Sequence, residues 1–377
     1  MKNVFNLIIL LCLTAVPGFS SGAPALENLI SGAEPPVAAP AASGPRYMFS
    51  PSQSAYDWSG LPAYIFTGDE RMSPALVSAI DRTRVTLDVA LYNLQLRETI
   101  DAMLRARARG VKVRIIFDYD HVYPKAGKEI QAVIDSGIET RVMKGRAGSG
   151  SMHCKYGIYD GTLLQTGSAN WSNLAETASY ENMMFVADGG IVRGYAANFE
   201  WMWRQAKPAG QPNALAEKPT VPPADPKPSV AFNGVTLPNY IFSPRAGTTD
   251  AIIRAVDAAR KEVNVAMFAF TSRPIMDALN RAALRGVKVK LLLYFKSSFP
   301  FKDEARKNKI SVHYEEGRAV NGIMHHKFAV LDSALLINGS FNWSATAEDI
   351  NTENTIFTMA PEYVAPYKAE FDKLYKD

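Results

Sequence analysis

HCKYGIYDGTLLQTGSANWS, residues 153–172, returns as HHKFAVLDSALLINGSFNWS, residues 325–344. In both copies the first His is followed two residues on by Lys, seven on by Asp, then by Gly-Ser, Asn, Trp and Ser, with no insertion or deletion between the copies. Tyr156, Ile158 and Tyr159, like Phe328, Val330 and Leu331, are strand-forming types. On a strand, residues i and i+2 share a face, so His153 lies beside Lys155 and His325 beside Lys327. Gly167 and Gly339 end the strand pattern, and Ser168, Asn170, Ser340 and Asn342 then supply short polar groups. Two copies brought face to face give two imidazoles, two ammonium groups and two amides around one small space. That set suits a phosphodiester. Cations and amides hold the oxygens, one His attacks phosphorus, and the other protonates the leaving oxygen.

Working outward, the repetition continues. LPAYIF at 61–66 matches LPNYIF at 237–242. A helix over Pro74–Arg82 or Asp250–Arg260 comes next, then a strand over Val85–Tyr92 or Val263–Phe270. A second helix, Arg97–Arg109 or Pro274–Arg285, stops at Gly110 or Gly286, the usual residue for a helix end. Another strand follows, Val111–Phe117 or Val287–Leu293, and Phe199 and Phe371 mark matching closing helices. From Val111 to His153 the first copy takes a slightly longer path than the second does from Val287 to His325, so the copies differ in length only there. Strands alternating with helices make each half α/β. Duplication on this scale points to two halves related by a pseudo-twofold axis.

The doubled HxKxxxxD followed by GSxxN resembles the phospholipase D superfamily. The likeness extends through Glu181-Asn182 and Glu353-Asn354, each Glu lying at the same distance after its motif His. The resemblance implies a mixed β-sheet flanked by helices in each repeat, the repeats packed as a pseudo-twofold dimer with the active site between them. It implies a phosphohistidine intermediate that water or an alcohol resolves. By the same resemblance His153 is the nucleophile and His325 the general acid, with the exchanged assignment kept open. Lys155, Lys327, Asn170 and Asn342 would cradle the phosphate, Glu181 and Glu353 would orient the histidines, and Ser168 and Ser340 would assist at the substrate. Asp160 and Asp332 are carried as catalytic candidates, although a regular strand puts them on the face opposite each Lys, where a structural hydrogen-bonding role is equally open.

The chain's 377 residues divide into a signal peptide (1–22), an Ala/Pro-rich leader (23–50), repeat 1 (51–206), a Pro-rich linker (207–230) and repeat 2 (231–377). Lys2 followed by the apolar Phe5–Val16 reads as a secretory signal, too short to span a bilayer comfortably, with an uncleaved anchor as the alternative. A secreted or periplasmic location is expected, and cleavage near Ala23 would leave Cys154 as the only cysteine, so no intramolecular disulfide is expected. Cys154 points away from its neighbours on a strand and reads as a small buried residue. Net charge is only +4 and no long basic block is present, which argues against a protein whose main task is wrapping nucleic acid. No metal-ligand spacing occurs, and neither metal nor cofactor is called for.

The remaining marked residues have a bland reading beside a sharp one. His326 adjoins His325 but faces the other way, as a packing residue; His121 and His313 have no partner in the other repeat. Arg146 and Arg318, each after a Gly in the loop before its motif, are solvated or hold a second phosphate. Trp171 and Trp343 read as core before base-stacking. Ser297–Phe301 is a loop whose aromatics could touch a membrane, partial burial being the plainer expectation. For substrate, a phospholipid headgroup ester is preferred. Metal-independent cleavage of DNA or RNA is the alternative, favoured by the compactness of each half, and a phosphate-holding module without catalysis is a third reading. A monomer with a pseudo-dimeric site is expected to suffice.

Overall fold

A computed structural model of the chain describes residues 56–146, 150–210 and 221–375. The signal peptide and the leader lie outside the described residues. Near the start of the described residues, Tyr56 is buried and its hydroxyl donates to the Ala79 carbonyl at 2.7 Å.

Each repeat builds one mixed sheet. In the first the strands run, edge to edge, Tyr64–Phe66, Asn182–Val186, Leu163–Gly167, Lys155–Tyr159, Thr86–Leu91, Lys112–Asp118, Glu139–Met143 and Lys207–Pro208. The second repeats the order with Tyr240–Ser243, Glu353–Thr358, Leu335–Gly339, Lys327–Leu331, Glu262–Met267, Lys288–Tyr294 and Ser311–Glu315. Thr86–Leu91 pairs parallel with Lys112–Asp118 and antiparallel with Lys155–Tyr159, so each motif strand sits where the sheet changes sense. Both motif strands are buried along their whole length, as central strands between covering layers must be.

The helices follow the apolar periodicity. Ser73–Arg82 and Arg97–Ala108 bury Leu76, Ile80, Ile100 and Met103 on one face of the first sheet, and Thr248–Ala258 and Arg273–Leu284 do the same in the second. Gly110 and Gly286 take positive φ (91° and 89°) at the ends of Arg97–Ala108 and Arg273–Leu284, which is why the sequence marks those ends with Gly. The opposite faces carry the closing helices Gly189–Gln205 and Pro361–Leu374.

These inner cores are shared. Tyr240, Phe242 and Ile356 of repeat 2 join the cluster around Tyr195 and Phe199, and Phe66 of repeat 1 joins the cluster around Tyr367 and Phe371. Polar links cross at the same place: Asn354 Nδ2 donates to Thr166 Oγ1 (2.9 Å), and the Tyr367 hydroxyl donates to Asn182 Oδ1 (3.0 Å). The repeats are thus one packed body, each completing the other's core.

Two details depart from the sequence reading. Lys207–Pro208, placed in the linker, adds a short strand to the first sheet beside Arg141 and Val142. Val230–Phe232 and Val235–Leu237 form a hairpin ahead of repeat 2 that has no counterpart among the described residues of repeat 1.

Candidate active site

The motif histidines stand just before the N-terminal ends of the motif strands, and there the backbones of the two repeats pair with one another. His153 N donates to the Thr352 carbonyl at 2.9 Å, and His325 N donates to the Tyr180 carbonyl at 2.9 Å. Close approach requires small residues. A Cβ on Gly150 would run into Ile350, and one on Gly322 into the Ala178 carbonyl. Arg318 is tied into the same seam: its guanidinium donates to the Ser179 carbonyl at 3.3 Å and to the carbonyl of Glu176.

The carboxylates cross the dyad. Glu353 of repeat 2 accepts from His153 Nδ1 at 2.8 Å, and Glu181 of repeat 1 accepts from His325 Nδ1 at 2.7 Å. A Glu therefore holds the imidazole of the other repeat by Nδ1, which leaves Nε2 as the reactive nitrogen of each ring. Ser168 and Ser340 stand behind the carboxylates. Ser168 Oγ donates to Glu181 at 2.7 Å and accepts from Asn182 N at 3.0 Å; Ser340 Oγ donates to Glu353 at 2.5 Å and accepts from Asn354 N at 3.0 Å. Each serine hydroxyl is thus committed to a carboxylate and a backbone amide, so the serines position the carboxylates in place of the substrate-binding role expected from sequence.

Lys155 and Lys327 lie beside their histidines as the strand period requires. Each ammonium donates back to its own motif carbonyl, Lys327 to His325 O at 2.8 Å and Lys155 to His153 O. Buried ammonium groups are costly. Burial pushes Lys155 down to about 8 and Lys327 down to about 7, and lowers both imidazoles. The two halves feel one another: the field of Lys155 reaches His325, and that of Lys327 reaches His153. The carboxylates differ. Burial raises Glu181 to about 7. Burial also acts upward on Glu353, but His153, Lys155 and Ser340 outweigh it and the net shift is downward. Glu353 has an extra donor, Asn351 Nδ2 at 3.0 Å, where the matching position 179 carries Ser.

Asn170 and Asn342 are half-buried, and their Oδ1 atoms have no protein partner among the described residues. Asp160 and Asp332 are elsewhere. Both follow the far ends of the motif strands, seven residues past each His, roughly 23 Å along an extended chain. The Asp160 carboxylate accepts from the amides of Arg84, Val85 and Thr86, and that of Asp332 from those of Arg260, Lys261 and Glu262. Both residues take positive φ, 49° and 53°. They are turn locks, and the catalytic reading of Asp160 and Asp332 is corrected.

The site also contains residues that the motif does not contain. Tyr92 packs edge-on against His153 (ring centroids 4.9 Å apart) and lies 4.9 Å from Lys155 Nζ. Phe268 holds the matching place beside His325 (4.7 Å) and Lys327 (5.2 Å). These rings wall the histidines in. Tyr92 and Phe268 sit at equal positions after the matching strands Thr86–Leu91 and Glu262–Met267, a signal available in the repeat alignment. His121 packs on the outer edge of Tyr92 at 4.4 Å.

Other marked residues are structural. Cys154 is buried, with Sγ 3.6 Å from the Thr352 carbonyl. His326 is buried against Asn182 and Glu370. Trp171 and Trp343 are core. Phe299 and Phe301 pack on Phe270, so the 297–301 loop turns its aromatics inward. Among the described residues, no three His, Cys, Asp or Glu side chains converge to hold a metal ion, and no helix is long and apolar enough to cross a membrane.

Comparison with known proteins gives consistent results. A mitochondrial cardiolipin hydrolase of Xenopus tropicalis is 32% identical over 128 residues, covering 34% of this chain and 59% of that protein. A phospholipase D of Rickettsia felis is 34% identical over 129 residues, covering 33% of this chain and 63% of that one. The chain thus spans little more than half the length of such relatives. The crystal structure of the phosphatidylserine synthase of Haemophilus influenzae Rd KW20 superposes with a TM-score of 0.59 at 11% identity, covering 84% of this chain and 86% of that one, a likeness of fold. The family profile described as "Cardiolipin synthase, PLD-like domain" matches residues 76–203 and 252–375, one segment in each repeat. Matched over most of its length and in both halves, the chain belongs to the phospholipase D-like domain family.

Proposed function

We propose that this chain is a phospholipase D-type phosphodiesterase that hydrolyses phospholipid headgroup esters through a phosphohistidine. The observation carrying this reading is the crossed pair of His–Glu hydrogen bonds around two buried lysines. His153 Nε2 attacks phosphorus, forming N–P as the P–O bond to the headgroup breaks. His325, protonated at Nε2, gives its proton to the departing oxygen. Water then attacks phosphorus from the His325 side, His325 takes its proton, and N–P breaks. Lys155, Lys327, Asn170 and Asn342 bind the phosphoryl oxygens. The ammonium charges and amide dipoles are in place before the transition state forms, which is where such groups act most strongly. The relatives named cardiolipin hydrolase and phospholipase D support the lipid substrate. The apolar stretch Phe5–Val16 supports export to a secreted or periplasmic location, which fractionation of the expressed protein tests.

Nuclease activity is the second reading. Phe268, Tyr294 and Phe295 form a run of ring contacts (5.4 and 5.5 Å) leading outward from His325 to Lys296, the kind of ledge on which a base stacks. Purified protein offered phosphatidylcholine, cardiolipin and single-stranded DNA in EDTA, beside a His153→Ala control, separates the two. Cleavage of DNA alone overturns the lipid assignment.

A further inference from the structure

The two walls of the site are unlike. Around His325 the wall is aromatic: Phe268, with Tyr294 stacked on it. Around His153 it is polar. Tyr92 replaces Phe268, and the group packed on Tyr92 is the His121 imidazole. When Tyr92 is aligned with Phe268, the position of repeat 2 that matches His121 is Ser297, whose hydroxyl is satisfied by the Tyr294 carbonyl at 3.0 Å. The His121 imidazole makes no hydrogen bond among the described residues, and its ring packs against that of Tyr92.

His121 is held firmly. It rides on the short helix Tyr119–Val122, whose N-cap Asp118 accepts from Asp120 N (3.1 Å) through one oxygen and from Met152 N (2.8 Å) through the other. Met152 directly precedes His153, so one buried carboxylate fixes both histidines in register. The short helix that carries His121 is thereby fixed relative to the start of the motif strand.

Its chemistry narrows what that ligand group is. Burial, then the field of Lys155, lowers the His121 imidazole, so the ring is neutral near pH 7, with one donor N–H and one acceptor nitrogen. An anion would use the donor alone. A hydroxyl uses both.

We propose that His121 is a specificity-determining residue whose imidazole hydrogen-bonds a hydroxyl carried close to phosphorus by one of the two alcohols of the phosphodiester. This rests on the phospholipid reading above. Two sources supply such a hydroxyl: a polyol headgroup, or the glycerol backbone of a lysophospholipid.

The test compares kcat and KM on phosphatidylglycerol, lysophosphatidylcholine and phosphatidylcholine, which carry the hydroxyl in the headgroup, in the backbone and in neither. His121→Phe keeps a flat ring against Tyr92 without hydrogen bonding; His121→Gln keeps a donor and an acceptor. We expect H121F to lower kcat/KM about tenfold through KM on at least one hydroxyl lipid, H121Q to retain most of the activity, and phosphatidylcholine turnover to be unchanged. The responding lipid names the source. An equal fall on phosphatidylcholine, or no fall on either hydroxyl lipid, overturns the proposal. Should the native protein cleave none of the three, the phospholipid reading fails separately. His121 is then judged by its ring resonance in 13C-histidine spectra, assigned by its loss in H121F. A shift with glycerol 1-phosphate and not with methyl phosphate supports the contact; equal shifts or none reject it.

Discussion

Replacing Glu353 with Gln and, separately, Glu181 with Gln distinguishes the two histidines by the step each serves. Glu353 is fully buried, accepts from His153 Nδ1 at 2.8 Å, and is held below its ordinary value, so the hydrogen bond it offers is charged. A hydrogen bond to a charged group contributes about 1.5–3 kcal/mol. At about 1.36 kcal/mol per decade, losing it slows the step that uses His153 by roughly 10- to 150-fold. Substrate binding changes little, because Lys155 and Lys327 remain. Glu181→Gln also weakens the hold on His325, by less near pH 7, where Glu181, raised to about 7, is only partly ionised. On a natural phospholipid both variants lose kcat. On a p-nitrophenyl phosphodiester, whose phenolate departs without a proton, E181Q recovers most of the loss in the burst of phenolate and E353Q does not. Folded fraction, read by circular dichroism, is measured beside each rate. Recovery in E353Q and not in E181Q would exchange the roles of the histidines. Equal loss on both substrates in both variants would refute the reasoning.

The remaining predictions concern the supporting cast. Asp160→Asn and Asp332→Asn each lower unfolding free energy by about 1–3 kcal/mol in urea titrations, with kcat of the folded protein unchanged, because their oxygens serve backbone amides. Lys327→Met removes a buried ammonium that folding disfavours, so it raises Tm while lowering kcat by about a hundredfold or more. The two lysines also set a pH dependence. Their folded values, about 8 and about 7, lie below the unfolded value near 10.4, so between pH 7 and 10 the unfolded chain binds more protons. Their contribution to stability therefore rises with pH across that window, seen as the difference between native protein and the double Met variant. Phosphate binding runs the other way, weakening from pH 6.5 to 8.5 with proton uptake measurable by calorimetry. Activity in EDTA equals activity without it, since lysines supply the charge that neutralises phosphate; loss with rescue by a divalent ion would reject the mechanism.

Much of this was legible because the chain is written twice. The period of two between His and Lys gave the shared face, and Gly110 and Gly286 gave the helix ends. The crossing of Glu181 to His325 and Glu353 to His153 was not legible. The spacing from motif His to Glu is the same in both copies, and nothing local says which copy's imidazole a carboxylate will meet. That choice is made by the seam at Gly150 and Gly322, which sequence shows only as ordinary loop glycines. Asp160 and Asp332 were misread because the motif's regular spacing binds them to the His in sequence, while an extended strand carries them to its far end. Tyr92 was missed for the opposite reason: it is distant in sequence from His153 and meets it only when Thr86–Leu91 pairs with Lys155–Tyr159, and His121 reaches the site only through its contact with Tyr92.

The central claim is that imidazoles from both repeats act on one phosphorus. A crystal structure of the protein with tungstate tests it most directly. The account predicts a single oxyanion between Nε2 of His153 and Nε2 of His325, with both lysines on its oxygens. An anion held by one histidine alone, or two anions in separate places, would contradict it.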